Sequence, residues 1–508
     1  MINKCNELPD AWELEEIRAI GNIVSGGTPS TKELSYWGGQ VNWISPADLK
    51  GYTNKHISTG AKSITEVGLK KSSAKLMPAG TVHFSSRAPI GYVVISSEPM
   101  STNQGFKSVV PAEGIFNEYL YYYLKSAKQL AELAATGTTF KELSGTSFGK
   151  LLIPIAPTNE QKRIVAKIEE LFSKLNKGVE SLKHAQEQLK IYRQSILKHA
   201  FEGKLTEKWR RQNAVTLETA DELLKKIKQE REKYYERKLQ DWRNAVNKWE
   251  NTGKEGNKPS KPKACRILNL IESEIENSPY FLNNSPWVYE KLGNVVSQFS
   301  LKATPTDCPK RPFIGMDCIS KNGMKPDFFY TFSEMTSAGN VFHEGQVLYG
   351  RLRSYLNKTY LAQYDGIASG EFIILDPIKI LNAQYLQLIL HAQHFVDWAD
   401  KQASGDKPRV KYEQIAQYIF AIPSLQEQKQ IVSKIEEKFS VINQLEQTIS
   451  DNLKRTEILR QSILKKAFSG QLVPQDPNDE PASVLLERIR QEQQAKLPKR
   501  IKKKVSNV

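Results

Sequence analysis

Cysteine is scarce in this chain of 508 residues, and its four examples are Cys5, Cys265, Cys308 and Cys318. Because no two of them form a CxxC pair, the sequence indicates neither a disulfide framework nor a zinc site, and it fits a reducing compartment. Long apolar runs are also missing, and the first twelve residues contain no apolar signal segment. We therefore expect a cytosolic protein.

The motifs of common nucleotide-using and nucleic-acid-modifying enzymes are missing as well. Residues 144–151 have the wrong spacing for a phosphate-binding loop, and no hydroxyl residue follows their lysine. The Pro-Pro loop and the glycine-rich cofactor turn of a DNA amino-methyltransferase are absent. His391 and His394 are spaced for one helix face, but without a third ligand we interpret them as surface histidines. We expect no catalytic residue, no bound metal and no cofactor in this chain.

Positive charge, in contrast, is abundant and unevenly distributed. The 72 Lys and Arg against 56 Asp and Glu give a net charge of +16, which favours a polyanionic partner. The excess lies in residues 151–285 and 424–508, with net charges of +8 and +5, whereas residues 1–150 and 286–423 carry only +2 and +1. If the nearly neutral segments recognise the polyanion, they therefore do so through a few individually positioned cations rather than through a large net charge.

The chain contains a long internal repeat. Residues 160–205 align without a gap on residues 427–472, at a constant offset of 267 positions. Roughly half of the aligned positions are identical, a self-match that indicates a duplicated structural unit. A second block follows at another offset, where Leu223, Leu224, Ile227, Gln229 and Glu230 match Leu485, Leu486, Ile489, Gln491 and Glu492. The organisation is therefore A-B-A′-B′.

The repeated segments have the spacing of a coiled coil, because their seam positions alternate between steps of four and three residues. The first seam is Ile164, Ile168, Leu171, Leu175, Gly178, Leu182, Ala185, Leu189, Tyr192 and Ile196. The second seam is Ile431, Ile435, Lys438, Ile442, Leu445, Ile449, Asn452, Thr456, Leu459 and Ile463. We expect two long helices that pack lengthwise and antiparallel, with the A and A′ domains at opposite ends. The alternative is two separate amphipathic helices, each lying on its own domain.

The remaining segments alternate short apolar runs with turn residues, so we predict an α+β fold with two mixed α/β domains. In the first domain, residues 41–45, 81–84, 92–96 and 106–110 are predicted strands and residues 117–133 a helix, and residues 382–399 form the corresponding helix of the second. The predicted boundaries are 1–157 and 284–423 for the two domains, 158–216 and 424–472 for the helices, 217–283 for a charged helix and linker, and 473–508 for a C-terminal helix and basic tail.

Two pairs of repeated strings carry a resemblance to a known family. They are residues 152–165 with 419–432, and residues 194–210 with 461–472. Over nearly its whole length the chain resembles the specificity subunit of Type I restriction-modification enzymes. The resemblance implies two target recognition domains that read an asymmetric bipartite DNA sequence, separated by paired helices that bind two methyltransferase subunits.

The resemblance also implies where the chemistry takes place. The partner methyltransferase subunits would bind S-adenosylmethionine and methylate adenine, and partner motor-nuclease subunits would use ATP and Mg²⁺. The chain itself would be non-catalytic. An alternative is the recognition subunit of a related two-headed system whose partner both cuts and methylates. A standalone enzyme or a purely structural coiled-coil scaffold would be a different class, and the reading frames beside this one would separate the possibilities.

Residues that read bases are Arg, Asn, Gln or short polar side chains on loops, whereas phosphates bind Lys, Ser, Thr and backbone amides. In the first domain the candidates are Thr28, Ser30, Thr31, Lys32, Gln40, Ser85, Ser86, Arg87, Thr138, Thr139 and Lys141. In the second domain they are Lys302, Lys310, Arg311, Arg351, Arg353, Asn357, Lys407, Arg409 and Lys411. The two sets occupy corresponding loops. The sequence gives neither the bases read nor the length of the spacer between them.

Overall fold

The computed structural model describes residues 8–87, 89–137, 141–253, 258–262, 267–278, 281 and 286–495. The candidates Thr138 and Thr139 and the basic tail at 499–504 lie outside these residues, as does much of the predicted linker. The chain divides into two compact units. Unit 1 comprises Met1–Lys183 and Ser450–Val508, and unit 2 comprises His184–Ile449.

The strands in chain order are β1 (Glu13–Glu16), β2 (Gly21–Ser25), β3 (Trp37–Ile44), β4 (His56–Ile57), β5 (Lys62–Ile64), β6 (Val82–Ser85), β7 (Val93–Ser96), β8 (Met100–Thr102), β9 (Phe106–Pro111), β10 (Leu152–Ile155), β11 (Val288–Lys291), β12 (Val296–Phe299), β13 (Lys302–Ala303), β14 (Pro312–Ile314), β15 (Tyr330–Thr331), β16 (Gly339–Phe342), β17 (Val347–Gly350), β18 (Thr359–Leu361), β19 (Gly366–Ala368), β20 (Phe372–Pro377) and β21 (Ile419–Ile422).

The α-helices are α1 (Glu66–Lys70), α2 (Asn117–Ser126), α3 (Lys128–Ala134), α4 (Gly145–Gly149), α5 (Thr158–Phe201), α6 (Glu207–Asn213), α7 (Ala220–Asn251), α8 (Glu272–Glu276), α9 (Leu292–Val295), α10 (Ala383–His391), α11 (Gln393–Gln402), α12 (Tyr412–Ile415), α13 (Leu425–Ala467) and α14 (Ala482–Ala495). Each of the two predicted domain helices is therefore interrupted, at Ala127 and at Ala392. Among the described residues, no helix has both the length and the apolar character that a membrane crossing requires.

The two units contain similar but not identical arrangements of strands. In unit 1 the larger sheet has the order β2-β9-β6-β7-β4, and a smaller sheet has the order β5-β3-β8. In unit 2 one sheet has the order β12-β20-β17-β18, and the other has the order β13-β16-β19-β14-β15. The parallel pair β3–β8 of unit 1 corresponds to the parallel pair β14–β19 of unit 2. The mixed α/β fold predicted for both domains is therefore confirmed.

The main core of each unit joins one sheet to the two long helices α5 and α13, and this sheet is β2-β9-β6-β7-β4 in unit 1 and β12-β20-β17-β18 in unit 2. In unit 1, Ile164 and Ile168 of α5 pack with Leu464 and Ala467 of α13. In unit 2, the carboxyl-terminal half of α5 packs with the amino-terminal half of α13, through residues such as Ile196 and Ile435. The beginning of each long helix thus packs against the end of the other, which confirms the antiparallel pair predicted from the repeat.

Half of the predicted seam is shifted by one residue. Leu445 and Leu459, predicted at the seam, are 47% and 43% exposed, and Tyr192 is 50% exposed. The other row of the seam is where it was predicted, because Ile168, Ile196, Ile435, Ile442 and Ile449 are buried. Leu175, Leu182, Leu189 and Ile463 of that row are half-buried, and so is Leu171 of the shifted row. The placement of Leu445 and Leu459 in the seam was therefore wrong.

The shifted row is filled by half-buried residues one position later, namely Phe172, Val179, Gln186 and Arg193 in α5 and Phe439, Glu446, Leu453 and Arg460 in α13. In unit 2, Arg193 donates to Glu446 Oε2 at 2.9 Å and its guanidinium lies 5.0 Å from the centre of the Phe439 ring. In unit 1, the guanidinium of Arg460 lies 5.1 Å from the Phe172 ring and bonds to Asn176. A search for apolar residues passes over such positions, because long cationic side chains cover aromatic rings while keeping their charge paired.

A buried glutamate and a buried glutamine in the first turn of each long helix join the helix to its own unit. Glu160 Oε2 accepts a hydrogen bond from Trp12 Nε1 at 3.0 Å, and Glu427 Oε2 accepts one from Trp287 Nε1 at 2.9 Å. The glutamine that follows each glutamate is also buried. Its side-chain oxygen accepts from the backbone amide of Phe116 in unit 1 and from that of Asn382 in unit 2. The repeated Glu-Gln pair is therefore a structural joint.

The second repeated block performs the same role in both units. Leu223 and Ile227, at the start of α7, are buried in the core of unit 2. Their equivalents Leu485 and Ile489 in α14 are buried in the core of unit 1. Beyond this block α7 continues to Asn251, and its Trp242 Nε1 donates to the Pro259 carbonyl at 3.0 Å.

Candidate nucleic-acid interface

The candidate loops of unit 1 leave one end of the larger sheet. Strands β2 and β6 end at Ser25 and Ser85, and β9 begins beside them, since Ser25 pairs with Lys107 and Ser85 with Phe106. The loop segments that follow β2 and β6, or precede β9, therefore emerge together. We call the loops at this end the loop surface of unit 1: residues 25–32, 86–87, 102–105 and 141–143.

The loop of residues 102–105 connects the other three and was missed by the sequence analysis. Gly27 donates its backbone amide to the Thr102 carbonyl at 2.8 Å, and the Thr28 hydroxyl bonds to the Gln104 side chain. The Ser86 amide donates to the Gly105 carbonyl at 2.7 Å, and the Leu143 amide donates to the Ser86 carbonyl at 2.9 Å. Asn103 and Gln104 are thus further candidates. The signal that could have identified them is the pairing of β8 and β9, the strands on either side of this loop, with other strands.

Two tryptophans fix the first loop. Trp43 Nε1 donates to the Gly27 carbonyl at 3.0 Å, and Trp37 Nε1 donates to the Ser30 carbonyl at 3.1 Å. The side chains of Ser30, Thr31 and Lys32 are consequently exposed on an anchored loop. Gln40 is exposed and lies midway along β3, between Trp37 and Ile44, whose carbonyl accepts from Asn103. It stays a candidate outside the residues that define the loop surface.

Ser85 and Ser86 are fully buried rather than displayed on the surface. The Ser85 hydroxyl donates to the Pro89 carbonyl at 2.7 Å, and the Ser86 hydroxyl donates to the Gly105 carbonyl at 3.1 Å. Both side chains are already hydrogen-bonded inside the unit. The sequence placed these two serines correctly at the loop. Their hydroxyls, however, bond to backbone carbonyls and do not face outward.

Arg87, Lys107 and Glu142 form an ion cluster on the loop surface of unit 1. Glu142 lies 3.9 Å from Arg87 Nη1 and 4.0 Å from Lys107 Nζ. Burial lowers the pKa of Lys107, Glu142 opposes that shift, and Arg87 adds to it. The cluster carries one net positive charge, and Lys141 is exposed beside it. An arrangement of this kind presents both hydrogen-bond donors and acceptors to a base edge or a phosphate.

The loops of unit 2 emerge from the equivalent end of its sheet. Strand β17 ends at Gly350, which pairs with Phe372 at the start of β20. The Arg351 amide donates to the Glu371 carbonyl at 2.9 Å, and the Arg353 amide donates to the Pro408 carbonyl at 2.8 Å. We call residues 351–357, 369–371 and 407–411 the loop surface of unit 2. Lys407 and Lys411 are exposed on it.

Glu371, which the sequence analysis missed, holds Arg409 on this surface. Arg409 donates from Nη2 to Glu371 Oε1 at 2.6 Å and from Nε to Oε2 at 2.9 Å. The hydrogen bond from Arg409, with smaller contributions from the charges of Arg409, Arg351 and Lys407, holds the pKa of Glu371 below its usual value. The Arg351 Nε atom is buried and makes no hydrogen bond within the described residues.

A strained turn displays Arg353. Arg353 and Asn357 have φ angles of +53° and +48°, a conformation that side-chain-bearing residues rarely adopt. Asn357 is buried, and its side-chain amide donates to the His391 carbonyl at 2.9 Å, so it fixes the turn rather than reading DNA. Between them, Tyr355 is 44% exposed. Arg353 is exposed and Tyr355 is a further candidate on the same turn.

The second sheet of unit 2 holds the remaining candidates, with Lys302 towards the loop surface and Lys310 and Arg311 away from it. Lys302 pairs with Asn340, whose side chain donates to the Phe372 carbonyl at 3.1 Å, so Lys302 lies towards the loop surface. Lys310 and Arg311 precede β14, whose carboxyl-terminal residue Ile314 is the one that contacts Ser369. Those two cations therefore lie at the opposite end of β14 from the loop surface.

The two candidate histidines differ in their surroundings. His391 is buried, and its burial lowers its pKa to about 4, so the interpretation as a surface histidine was wrong. His394 Nδ1 lies 3.3 Å from the Tyr418 hydroxyl. Within the described residues, no group of three or more His, Cys, Asp or Glu side chains is placed to hold a metal ion.

Comparisons with known proteins agree with this geometry. The family model described as the Type I restriction modification DNA specificity domain matches residues 9–183 and 284–455, one match in each repeat. The specificity subunit of the Type I restriction enzyme EcoKI from Escherichia coli K12 is 23% identical over 524 residues, which cover 98% of this chain and 99% of that protein. The MjaIX specificity subunit of Methanocaldococcus jannaschii is 42% identical over 161 residues, or 31% of this chain and 37% of that protein.

Two solved structures share the fold. One is a chain from a structure that describes complex assembly and conformational transition of the type I R-M system. Its TM-score is 0.60 at 17% identity, and the match covers 92% of this chain and 99% of that one. The HsdS subunit from Thermoanaerobacter tengcongensis gives a TM-score of 0.51 at 16% identity, covering 93% of this chain and 100% of that one. At these identities the likeness concerns the fold alone.

Proposed function

The chain belongs to the family of Type I restriction-modification DNA specificity subunits, which are non-catalytic, and we propose that each of its two units reads one half of an asymmetric bipartite DNA target. The observation that carries this proposal is the pair of loop surfaces. Both emerge from the same end of an equivalent sheet, but they display different residues. Two equivalent backbone scaffolds that display different side chains suit a target whose two halves differ in sequence.

The side chains on these surfaces divide by chemistry. Arg353 and the polar groups of Thr28, Asn103 and Gln104 have the donors and acceptors that base edges require. Lys32, Lys141, Lys302, Lys407 and Lys411 are exposed cations that suit phosphates. Because residues 1–150 and 286–423 carry net charges of only +2 and +1, we propose that phosphate contacts position each unit and that a few side chains determine the sequence read.

We further propose that the long helices bind two methyltransferase subunits. Two exposed apolar pairs support this proposal. Ile191 and Tyr192 on α5 in unit 2 correspond, at the repeat offset of 267, to Ile458 and Leu459 on α13 in unit 1. Ile191 is 63% and Ile458 is 68% exposed. Exposed apolar residues that recur at equivalent positions suit two copies of one partner.

The chemistry of the complex then resides in the partners. We propose that S-adenosylmethionine binds to the methyltransferase subunits, and that ATP and Mg²⁺ bind to motor-nuclease subunits associated with them. The absence of catalytic motifs from the sequence supports this division. The described residues contribute DNA contacts and the surfaces on which the partners assemble.

The experiment is to co-express the chain with its methyltransferase subunit and to sequence the methylated motif in the host DNA. Arg87→Ala and Arg353→Ala should each cost about 1 to 3 kcal/mol in specific binding and relax one half of the motif, a different half for each variant. Equal weakening on all sequences would identify a phosphate contact instead. Methyl transfer by the purified chain alone would contradict the assignment of all chemistry to the partners.

A further inference from the structure

Glu142 in unit 1 and Arg409 in unit 2 occupy the same structural position. Glu142 forms isolated antiparallel bridges with Arg87 and with Thr136. Arg409 forms the same two bridges, with Leu352 and with Ser404. The two residues are also separated by 267 positions, the offset of the repeated helices. Position 142 and position 409 are therefore equivalent points on the two loop surfaces.

The charge at this position is opposite in the two units. In unit 1 the carboxylate of Glu142 faces two cations, Arg87 and Lys107. In unit 2 the guanidinium of Arg409 is held by the carboxylate of Glu371 through two near-parallel hydrogen bonds. Each unit thus places one residue at the position and supplies neighbours of opposite charge that orient it. The neighbours differ in origin, because Arg87 follows β6 and Lys107 lies in β9, whereas Glu371 precedes β20.

Both residues are accessible at the surface. The side chain of Glu142 is 46% exposed and that of Arg409 is 37% exposed. An arginine donates to O6 and N7 of guanine in the major groove, whereas a glutamate accepts from the N4 amino group of cytosine. Side chains with these opposite requirements cannot prefer the same base. A half-exposed side chain that is already oriented also loses less freedom on binding.

We propose that positions 142 and 409 are equivalent specificity determinants, with Glu142 accepting a hydrogen bond from a cytosine amino group and Arg409 donating to a guanine. Glu371 is the positioning residue for Arg409, and Arg87 and Lys107 position Glu142. This inference rests on the proposed function, because it assigns base contacts within the two loop surfaces. It adds which position sets the preference and why the two units differ there.

The test uses the intact complex of the full chain with its methyltransferase subunit and reads the methylated motif in host DNA. Arg409→Gln should reduce the preference for guanine at one position of one half by about 5- to 150-fold, the range of one good base contact. Glu142→Gln should reduce the preference for cytosine at one position of the other half. Glu113→Gln and Lys379→Gln are the matched controls, because these exposed residues follow β9 and β20 at the far end of each sheet.

A charge exchange separates reading from structure. The double substitution Glu371→Arg with Arg409→Glu restores an ion pair, so the unit should fold, but it places an acceptor at position 409. We expect this variant to prefer cytosine where the natural chain prefers guanine. An active double variant that keeps the original motif would overturn the inference, because the ion pair would then act only in folding.

The remaining outcomes are also decisive. An unchanged motif in active Arg409→Gln and Glu142→Gln complexes contradicts the inference and leaves the proposed function intact. Uniformly weaker methylation with an unchanged motif also contradicts it, since phosphate contacts behave in that way. Methylation without any motif by the unsubstituted complex contradicts the proposed function itself and the inference with it.

Discussion

The joints between helix and domain are nearly the same in the two units, whereas the loop surfaces are not. Both joints use a tryptophan, a buried glutamate and a buried glutamine, and Tyr119 and Tyr385 donate to equivalent carbonyls, those of Pro154 and Ala421. The loop surfaces instead carry opposite charges at positions 142 and 409. Residues that join the parts are thus repeated, and residues that face outward differ.

The two joints differ in one respect, and this difference gives the largest effect on stability that we predict. Glu427 bonds to Trp287 and also to Arg210 Nε at 2.8 Å and the Thr206 hydroxyl at 2.7 Å. In unit 1, the side chain of Gln475 bonds to Glu160 and no arginine does so among the described residues. Glu427→Ala would leave Arg210, which is only 18% exposed, without its carboxylate.

We therefore expect Glu427→Ala to destabilise unit 2 by about 3 to 5 kcal/mol, the usual cost of removing one partner from a buried ion pair. Glu160→Ala should destabilise unit 1 by only about 1 to 3 kcal/mol, because the Glu160 carboxylate is hydrogen-bonded by the uncharged donors Trp12 and Gln475 and its loss leaves no buried cation unpaired. Hydrogen exchange measures the opening free energy of each unit separately. Glu427→Gln is the matched control, and equal losses in the two units would contradict the asymmetry.

The pH dependence of stability provides the second comparison. Burial lowers the pKa of His83 in unit 1 to about 3 and that of His391 in unit 2 to about 4. An unfolded histidine titrates near pH 6.5, so the unfolded chain binds the proton first as pH falls. Each contribution to stability is therefore complete above about pH 6.5 and is lost progressively towards the folded pKa.

By pH 4 each unit should have lost about 3 kcal/mol from its histidine, and below that pH unit 1 should continue to lose stability from this source more than unit 2 does. His391→Gln should remove the acid sensitivity of unit 2 between pH 6.5 and 4 relative to the unsubstituted chain. Hydrogen exchange at a series of pH values tests both statements. If His391→Gln leaves the pH profile of unit 2 unchanged, the buried histidine is not its cause.

The smallest effects concern the two apolar pairs on the long helices. Ile191→Asp and Ile458→Asp should each weaken one methyltransferase site by about 1 to 2 kcal/mol, and by similar amounts, because the positions are equivalent. Native mass spectrometry counts the bound subunits at limiting concentration. Val441→Asp is the control, since Val441 is 53% exposed but its equivalent, Lys174, is not apolar. An equal loss in the control would show that any apolar residue of the helix serves.

The sequence was sufficient to predict the repeat, the two α/β domains and the antiparallel helices, because apolar spacing and turn residues determine these features locally. It misplaced half of the seam, since Arg193 and Arg460 are half-buried there against aromatic rings and a period of apolar residues does not include them. It also could not separate displayed residues from supporting ones. Ser86 and Asn357 are polar loop residues, but tertiary hydrogen bonds turn them inward.

The loop residues that were missed have a common cause. Gln104 and Glu371 lie in the short β8–β9 and β19–β20 connections, and only the pairing order of the sheets brings them beside Thr28 and Arg409, which are distant in sequence. Both residues contact partners that are dozens of positions away in the sequence. Local sequence patterns carry no information about such contacts. Sequence could identify where loops leave the sheet, and it could not identify which loops meet.

The repeated joint has an evolutionary consequence. The described contacts that fix each unit to its helix involve Trp12, Trp287, the Glu-Gln pairs and the two tyrosines, all outside the loop surfaces. If the loop surfaces read bases as proposed, substitutions that alter base preference fall on a different set of residues from those that fix each unit to its helix. Selection can change what one unit reads without a compensating change in the joint, so new specificities are accessible by single steps through folded intermediates.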